Sequence, residues 1–371
     1  MREYSIEDLV CVAKRENNSK RAYLYVNPIQ GKHIPVSPNK PLELYKTMAK
    51  KLEERFPNER LLIIGFAETA TAIGAAIASY ADNVTFCTQT TREKYQGARY
   101  LYFTESHSHA TEQSLIISGY EYILDDVDRI VFAEDEVTTG NTIIKLISAI
   151  RTEYEGKYLK FGIISILNSM SDYRIFELEK DGIPCLYINK IPYEYNIENI
   201  DSFKYLEFES VKASPYNEKI ITGIIPPNLR YVQDKSTYSD SVNAYIKKVC
   251  EKVHISKDIK RILVLGTEEF MFPPMKVAEY IQNEHPNVEV SFHATTRSPI
   301  MISCDENYPL HSRWSINSVY EAGRITYVYN LSNYDLAIVL SDADVKSTVG
   351  IEKLEEALAG AGCKEIIFVH A

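Results

Sequence analysis

The chain has 371 residues, 45% of them hydrophobic, which is enough for two buried cores, and its formal charge of −10 argues against DNA or RNA as the main partner. No apolar run approaches the ~18 residues of a membrane span, and the amino terminus lacks a signal-type apolar stretch, so a soluble, cytoplasmic protein without a membrane partner is expected. The six cysteines (Cys11, Cys87, Cys185, Cys250, Cys304 and Cys363) are scattered without CxxC pairing and read as reduced thiols.

In chain order, the first notable stretch is 27–38, NPIQGKHIPVSP, which sets Gly31, Lys32 and His33 between prolines. Residues 60–92 then predict a βαβ unit. A strand Leu61–Ile64 leads into the turn Gly65, Phe66, Ala67, Glu68, Thr69, Ala70, Thr71, an Ala-rich helix Ile73–Tyr80 and a strand Val84–Thr88, with Arg92 and Lys94 just beyond. That turn is either an anion-facing turn whose amides meet a diphosphate, or a plain β–α connection with Thr71 near the cap. Residues 103–114, FTESHSHATEQS, are polar, lack apolar periodicity and predict a mobile loop. There Glu105, His107, His109 and Glu112 offer a base or a hydrogen-bond donor. The His-x-His pair also admits a metal, although such pairs in polar loops are more often solvated.

The most informative segment is VFAEDEVTTGNTIIKLISAI, 131–150. After an apolar strand come two adjacent acids, and from Val137 to Thr142 the backbone must turn into a helix whose first amides have no intrahelical partner. Those amides and the helix dipole attract an anion. Gly140 permits close approach of the main chain, and Thr138, Thr139 and Thr142 add hydroxyls beside Asn141. Glu134 and Asp135 would repel the same phosphate by about 1–4 kcal/mol at 4 Å, so they suit sugar hydroxyls or a hydrated Mg²⁺ instead. Ribose 5-phosphate has the shape that satisfies both halves. The chain contains no GxxxxGK[ST] and no GxGxxG after a strand, which argues against a P-loop or a Rossmann site.

The pattern then repeats. Segment 60–92 matches 261–297 in the order Arg-strand-Gly, acid, helix, strand, Thr-Thr-Arg, and AEDEVTTGNT (133–142) lies without gaps on SDADVKSTVG (341–350). The second copy is degenerate: Asp342 and Asp344 keep acids, but Lys346, Ser347 and Thr348 stand where the first has Thr-Thr-Gly. The acidic, tyrosine-rich stretch 193–240, with Pro215, Pro226 and Pro227, predicts hood and linker between two α/β domains, 1–230 and 231–371, with mainly parallel sheets.

The order acid, acid, any, any, Thr-Thr-Gly, any, Thr resembles the PRPP-binding motif of type I phosphoribosyltransferases, with Glu134 in place of the commoner first Asp. Thr295-Thr296-Arg297-Ser298-Pro299, together with GKHIPV, the HSHAT loop and GTEEFMFPP (266–274), resembles the two-domain family that fuses such a transferase to a TRSP domain. The resemblance covers nearly the whole chain.

What the resemblance implies is a type I phosphoribosyltransferase fold followed by a degenerate copy, and a glycosyltransferase that moves phosphoribose from PRPP to an acceptor, with Mg²⁺ bound through the diphosphate. It gives Val137–Thr142 to the 5-phosphate, Glu134 and Asp135 to the ribose, and Arg92, Lys94 and the Gly65–Thr71 turn to pyrophosphate. The loop around Glu105, His107 and His109 becomes a lid, and Lys32 and His33 become part of an acceptor hood, with His33 and His107 as candidate bases. It further implies a role in making a nucleoside-like molecule in tellurite-resistance and stress operons, beside ATP-grasp, HAD-phosphatase and lyase-like proteins, and a homodimer by analogy. Arg297, Arg313 and Arg324 suggest an acidic-substrate or partner surface in the second domain, or else ion-paired surface arginines. Two rivals to a transferase are a PRPP-sensing regulator and a nucleotide-cleaving ribosyl hydrolase or phosphorylase.

Overall fold

The structure, a computed structural model, describes residues 2–16, 21–103, 113–197, 199–207, 216–344 and 349–371. The chain forms two compact units. The first comprises Met1–Tyr4, Leu42–Tyr195 and Asn228–Asp240; the second comprises Ser5–Pro41, Asn196–Pro227 and Ser241–Ala371.

The first unit is built on an eight-stranded sheet. Its main elements are β1 (Leu61–Gly65), α1 (Thr71–Tyr80), β2 (Val84–Thr91), β3 (Tyr100–Tyr102), β4 (Ser114–Ile116), β5 (Arg129–Val137), α2 (Asn141–Glu153), β6 (Lys160–Asn168), α3 (Asp172–Lys180) and β7 (Cys185–Lys190). The order across the sheet is β3-β4-β2-β1-β5-β6-β7, and a short strand, Gln233–Asp234, pairs antiparallel with β2. The five strands from β2 to β7 run parallel, so their carboxyl ends share one edge. Every residue of β1 is buried, as expected for a continuous apolar run covered on both faces. In α1, Thr71 to Ala78 are all buried, and a Cβ on Gly74 would stand 2.7 Å from the Gly65 Cα. Two glycines therefore let this helix press directly on the turn that begins it.

The second unit has β8 (Asn217–Ile221), β9 (Arg261–Gly266), α4 (Phe272–Glu284), β10 (Glu289–Ala294), β11 (Arg313–Asn317), β12 (Ile325–Tyr329), β13 (Leu336–Leu340), α5 (Val349–Gly360) and β14 (Glu365–Val369). Its five-stranded sheet, ordered β8-β14-β13-β9-β10, is parallel throughout, and β11 and β12 form a separate antiparallel hairpin. Leu263, Val339, Leu354, Leu358 and Phe368 centre its core.

The two sheets share one plan. Taken by order of appearance, β10-β9-β13-β14 repeats β2-β1-β5-β6, and β11–β12 falls between β10 and β13 as β3–β4 falls between β2 and β5. At the fifth place the copies differ, because β8 comes from upstream of its sheet whereas β7 comes from downstream.

The units do not follow the division at residue 230 that the sequence predicts. Strands Cys11–Lys14 and Tyr23–Val26 pair antiparallel and bury Ala13, Leu24 and Val26 against Ile300, Ile302, Tyr308 and Tyr329 of the second unit. Within 193–240, read from the sequence as hood and linker, the described parts add Gln233–Asp234 to the first sheet, and β8 and Tyr205–Leu206 to the second unit. Of these short strands only β8 contains a buried residue, Ile221, too little to leave a periodic signal.

Candidate active site

At the carboxyl edge of the first sheet, β5 continues through Val137, so the turn is tighter than the sequence predicts: Thr138, Thr139 and Gly140 connect it to α2, which begins at Asn141. Gly140 takes φ +73, and a Cβ there would meet the Met170 sulfur at 3.1 Å. Glycine at the cap position supplies no capping oxygen, and the first turn, Asn141 to Ile144, contains no acid. With no capping oxygen from residue 140 and no acid in the first turn, the positive end of α2 suits an anionic ligand. Thr139 Oγ1 accepts from the Asn141 amide at 3.3 Å, and Thr142 lies exposed in the first helical turn.

Just before this turn, β5 presents three half-buried acids: Glu134, Asp135 and also Glu136. Glu134 Oε2 accepts from the Asp135 amide at 3.2 Å. Desolvation first, and then the neighbouring Asp135 carboxylate, push the Glu134 carboxyl well above its ordinary value. Ser169 donates to Glu136 Oε1 at 3.5 Å. Glu136 is the acid that the motif leaves as an unspecified position.

The Gly65–Thr71 turn is tied to both neighbouring strands. The Phe66 amide donates to the Ala133 carbonyl at 3.0 Å and the Ala67 amide to Thr90 Oγ1 at 2.8 Å, while Gln113 Nε2 donates to the Ala67 carbonyl at 2.8 Å. Thr71 closes the turn from within, its hydroxyl donating to the Glu68 carbonyl at 3.1 Å. The Ala67–Glu68 peptide is cis. Thr69 is half-buried and Ala70 buried at the helix start.

Arg92 stands directly after β2, half-buried. Lys94 is exposed, its ammonium 4.4 Å from the Tyr102 ring centroid and 3.2 Å from that phenol oxygen. Arg230 was hidden in the stretch that the sequence assigns to a linker. It is 1% exposed, donates from Nε to Thr91 Oγ1 at 3.3 Å and stacks 5.6 Å from the Tyr95 ring centroid, so it joins Arg92 at the end of β2. Glu105, His107, His109 and Glu112 lie outside the described residues.

Beside the Thr138–Gly140 turn opens a cleft of ≈ 500 Å³, lined by Thr138, Thr139, Asn141, Ser169, Met170, Ser171, Arg174 and Tyr193. Ser171 caps α3 by accepting from the Arg174 amide at 3.2 Å. Arg174 therefore sits in the first turn of α3, where a cation gains nothing from the helix dipole.

Lys32 and His33 belong to the second unit, not to the first. The segment 31–36 lies along β10, with Val36 and Phe292 exchanging backbone hydrogen bonds. Lys32 is 1% exposed and donates to the Glu268 and Thr295 carbonyls at 2.9 and 2.8 Å. Burial, with Lys32 and His293 nearby, lowers His33 to about 3, so a neutral ring occupies the core there. Arg297 and Arg324 turn inward onto Glu268, at 2.5 and 3.0 Å, and Arg313 bonds Glu16 at 2.6 Å. All three are ion-paired within the unit.

Two family models match the chain: one described as phosphoribosyl transferase over residues 9–182, and one described as a TRSP domain carboxyl-terminal to it over residues 232–358. Three solved adenine phosphoribosyltransferases illustrate the structural likeness. That of Giardia lamblia, in complex with 9-deazaadenine, is 8% identical, with 50% of this chain and 95% of that one covered at a TM-score of 0.35. That of Rhodothermus marinus is 13% identical over 50% and 96% at 0.33, and that of Thermoanaerobacter pseudethanolicus 14% identical over 50% and 98% at 0.34. A comparison with curated proteins finds no match.

Proposed function

Since the chain is a phosphoribosyltransferase fused to a carboxyl-terminal TRSP domain, we propose that its first unit transfers phosphoribose from PRPP to a small acceptor and releases pyrophosphate at the carboxyl edge of the sheet. The observation that carries this assignment is the Thr138–Gly140 turn. It opens an acid-free helix start at the end of a strand that bears three carboxyl groups.

Thr138, Thr139, the glycine turn and the α2 amides would hold the 5-phosphate. Asp135 and Glu134 would take the ribose hydroxyls and favour the positive charge that develops on the sugar ring as the bond from C1 to the diphosphate breaks. Arg92, the Gly65–Thr71 turn and Arg230 would receive the departing pyrophosphate. The acids at the end of β5 offer only hard oxygen donors, which fit Mg²⁺; bound on the diphosphate, the ion would supply charge neutralisation there. Ser169, Met170, Ser171, Arg174 and Tyr193 form the part of the cleft left for the acceptor, an aromatic and cationic wall suited to a flat polar ring.

The setting we infer is inside the cell, in biosynthesis of a nucleoside-like molecule beside ATP-grasp, HAD-phosphatase and lyase-like operon partners, as TRSP-containing tellurite-resistance operons suggest, and with a homodimer as the working assembly. Among the described residues no helix is long and apolar enough to cross a membrane.

Incubation with PRPP, Mg²⁺ and a panel of heterocycles should release pyrophosphate, and Thr139→Ala should weaken PRPP binding about tenfold or more through loss of a charge-assisted contact. Release from no mixture, or turnover only when a nucleotide is supplied, would sink the transfer assignment in favour of a sensor or a nucleotide-cleaving enzyme.

A further inference from the structure

We infer that the second unit contains an oxyanion site equivalent to the pyrophosphate turn of the first, and that the carboxylate of Glu268 fills it as a built-in ligand.

The two turns share one hydrogen bond, although the first has a cis peptide after Ala67 and the second a left-handed Glu268. In the first unit the second residue after Gly65, Ala67, donates its amide to Thr90 Oγ1 at 2.8 Å, and Thr90 begins Thr-Thr-Arg. In the second unit the second residue after Gly266, Glu268, donates its amide to Thr295 Oγ1 at 2.9 Å, and Thr295 begins the matching Thr-Thr-Arg. Ala67 thus corresponds to Glu268, and Arg92 to Arg297. The glycines correspond as well, since a Cβ would reach the Ala70 carbonyl at 2.6 Å in one and the Phe270 carbonyl at 2.3 Å in the other.

Where the first unit has a methyl group, the second extends a carboxylate in front of its arginine. Glu268 is 1% exposed. Its Oε2 accepts from Arg297 Nε at 2.5 Å and Arg324 Nη1 at 3.0 Å, and its Oε1 accepts from the Ser318 hydroxyl. Two guanidinium groups and a hydroxyl around one pair of oxygens is the donor set that a phosphoryl group takes. Glu268 holds this place with φ at 46, a left-handed conformation costly for a residue with a Cβ. A buried carboxylate and a strained backbone together are an expensive solution for a turn that alanine serves in the first unit.

The donors also identify a closed cover. Ser318 and Arg324 flank the tip of the β11–β12 hairpin, the counterpart in chain order of β3–β4. Between them Tyr320 donates to Asp342 Oδ1 at 2.5 Å, and the Thr267 carbonyl lies 3.1 Å from the same phenol oxygen. The tip is therefore pinned over the turn by contacts to the internal carboxylate and to the acid at the end of β13. Arg297 further meets Glu269 at 3.8 Å and Arg324 meets Glu321, so two guanidinium groups serve three carboxylates.

The chemistry that fits is a tetrahedral or planar oxyanion, with inorganic pyrophosphate as the probe. Hydrogen exchange on the full chain tests it with Glu268→Ala, which restores the first unit's residue. Exchange across 318–324 should rise at least tenfold, added pyrophosphate should bring it back toward the wild-type rate, and Arg297→Gln in the same background should abolish that response. Unchanged exchange in Glu268→Ala, or raised exchange indifferent to pyrophosphate, overturns the inference. Should Glu268→Ala not fold, refolding in pyrophosphate takes the place of the exchange measurement, and no recovery there overturns it. The inference leans on the pyrophosphate assignment of the first unit, yet the two fail separately: protection of 65–71 without 318–324 removes this inference alone, and the converse removes that assignment alone.

Discussion

In the first unit the second residue after Gly65 is Ala67, followed by the half-buried Glu68, while in the second unit the second residue after Gly266 is Glu268, whose carboxylate meets Arg297 and Arg324. The same contrast recurs one strand over. There the first unit ends β5 in three acids and a glycine turn with φ +73, and the second has Asp342 accepting from Tyr320, with threonine in the glycine's sequence position. One sheet plan therefore carries different charged groups at its strand ends, and in the second unit the buried Glu268 carboxylate has two guanidinium groups beside it to offset its desolvation. The difference lies in a few side chains at the strand ends, because the buried strands beneath answer only to packing.

The largest effect should come from Asp135. Asp135→Asn should lower pyrophosphate release by about 100-fold, the scale of losing one group that acts on developing charge, while Asp342→Asn should leave release unchanged. Equal losses from both would erase the distinction between the units. A smaller effect is expected at Gly140, where alanine must adopt φ +73 and displace the Met170 sulfur. Gly140→Ala should cost about 1–2 kcal/mol of stability and raise the Kd for PRPP, read by calorimetry beside a urea melt. An unaltered Kd would detach the turn from phosphate binding.

The smallest and most gradual effect concerns pH. Burial, with Lys32 and His293 beside it, lowers His33 to about 3. Its ring is neutral in the folded protein at pH 7, while in the unfolded chain it binds a proton below about 6.5. Stability is thus complete above about pH 7 and declines as pH falls from 6.5 toward 3, by about 2 kcal/mol at pH 5. Urea midpoints at pH 7.5, 6 and 5 should show this fall, and His33→Asn should flatten it. A flat profile in the parent would mean that the ring is not held neutral.

Much of the site can be read along the chain because its chemistry is local. Acids, Thr-Thr-Gly and a helix start lie within ten residues, and the spacing alone brings them to one strand end. The same locality makes the βαβ repeat visible and places Arg92 at the end of β2. Val137 and Thr142 fall one step outside the turn they were expected to form, since the strand runs on through Val137 and the helix begins at Asn141. Arg230 escaped notice because its partner Thr91 is 139 residues away in sequence.

The amino-acid order by itself determined the α/β class, the duplicated strand-turn-helix plan and the glycine turn between β5 and α2, all of which follow from periodicity and from the conformational freedom of a glycine at a helix start. Only the tertiary structure decided that residues 5–41 complete the second unit, that Lys32 and His33 are buried there, and that Arg297 and Arg324 close on Glu268. Those outcomes depend on which apolar edges find each other across hundreds of residues and on which charges must then be neutralised away from water, and neither is written in any local spacing.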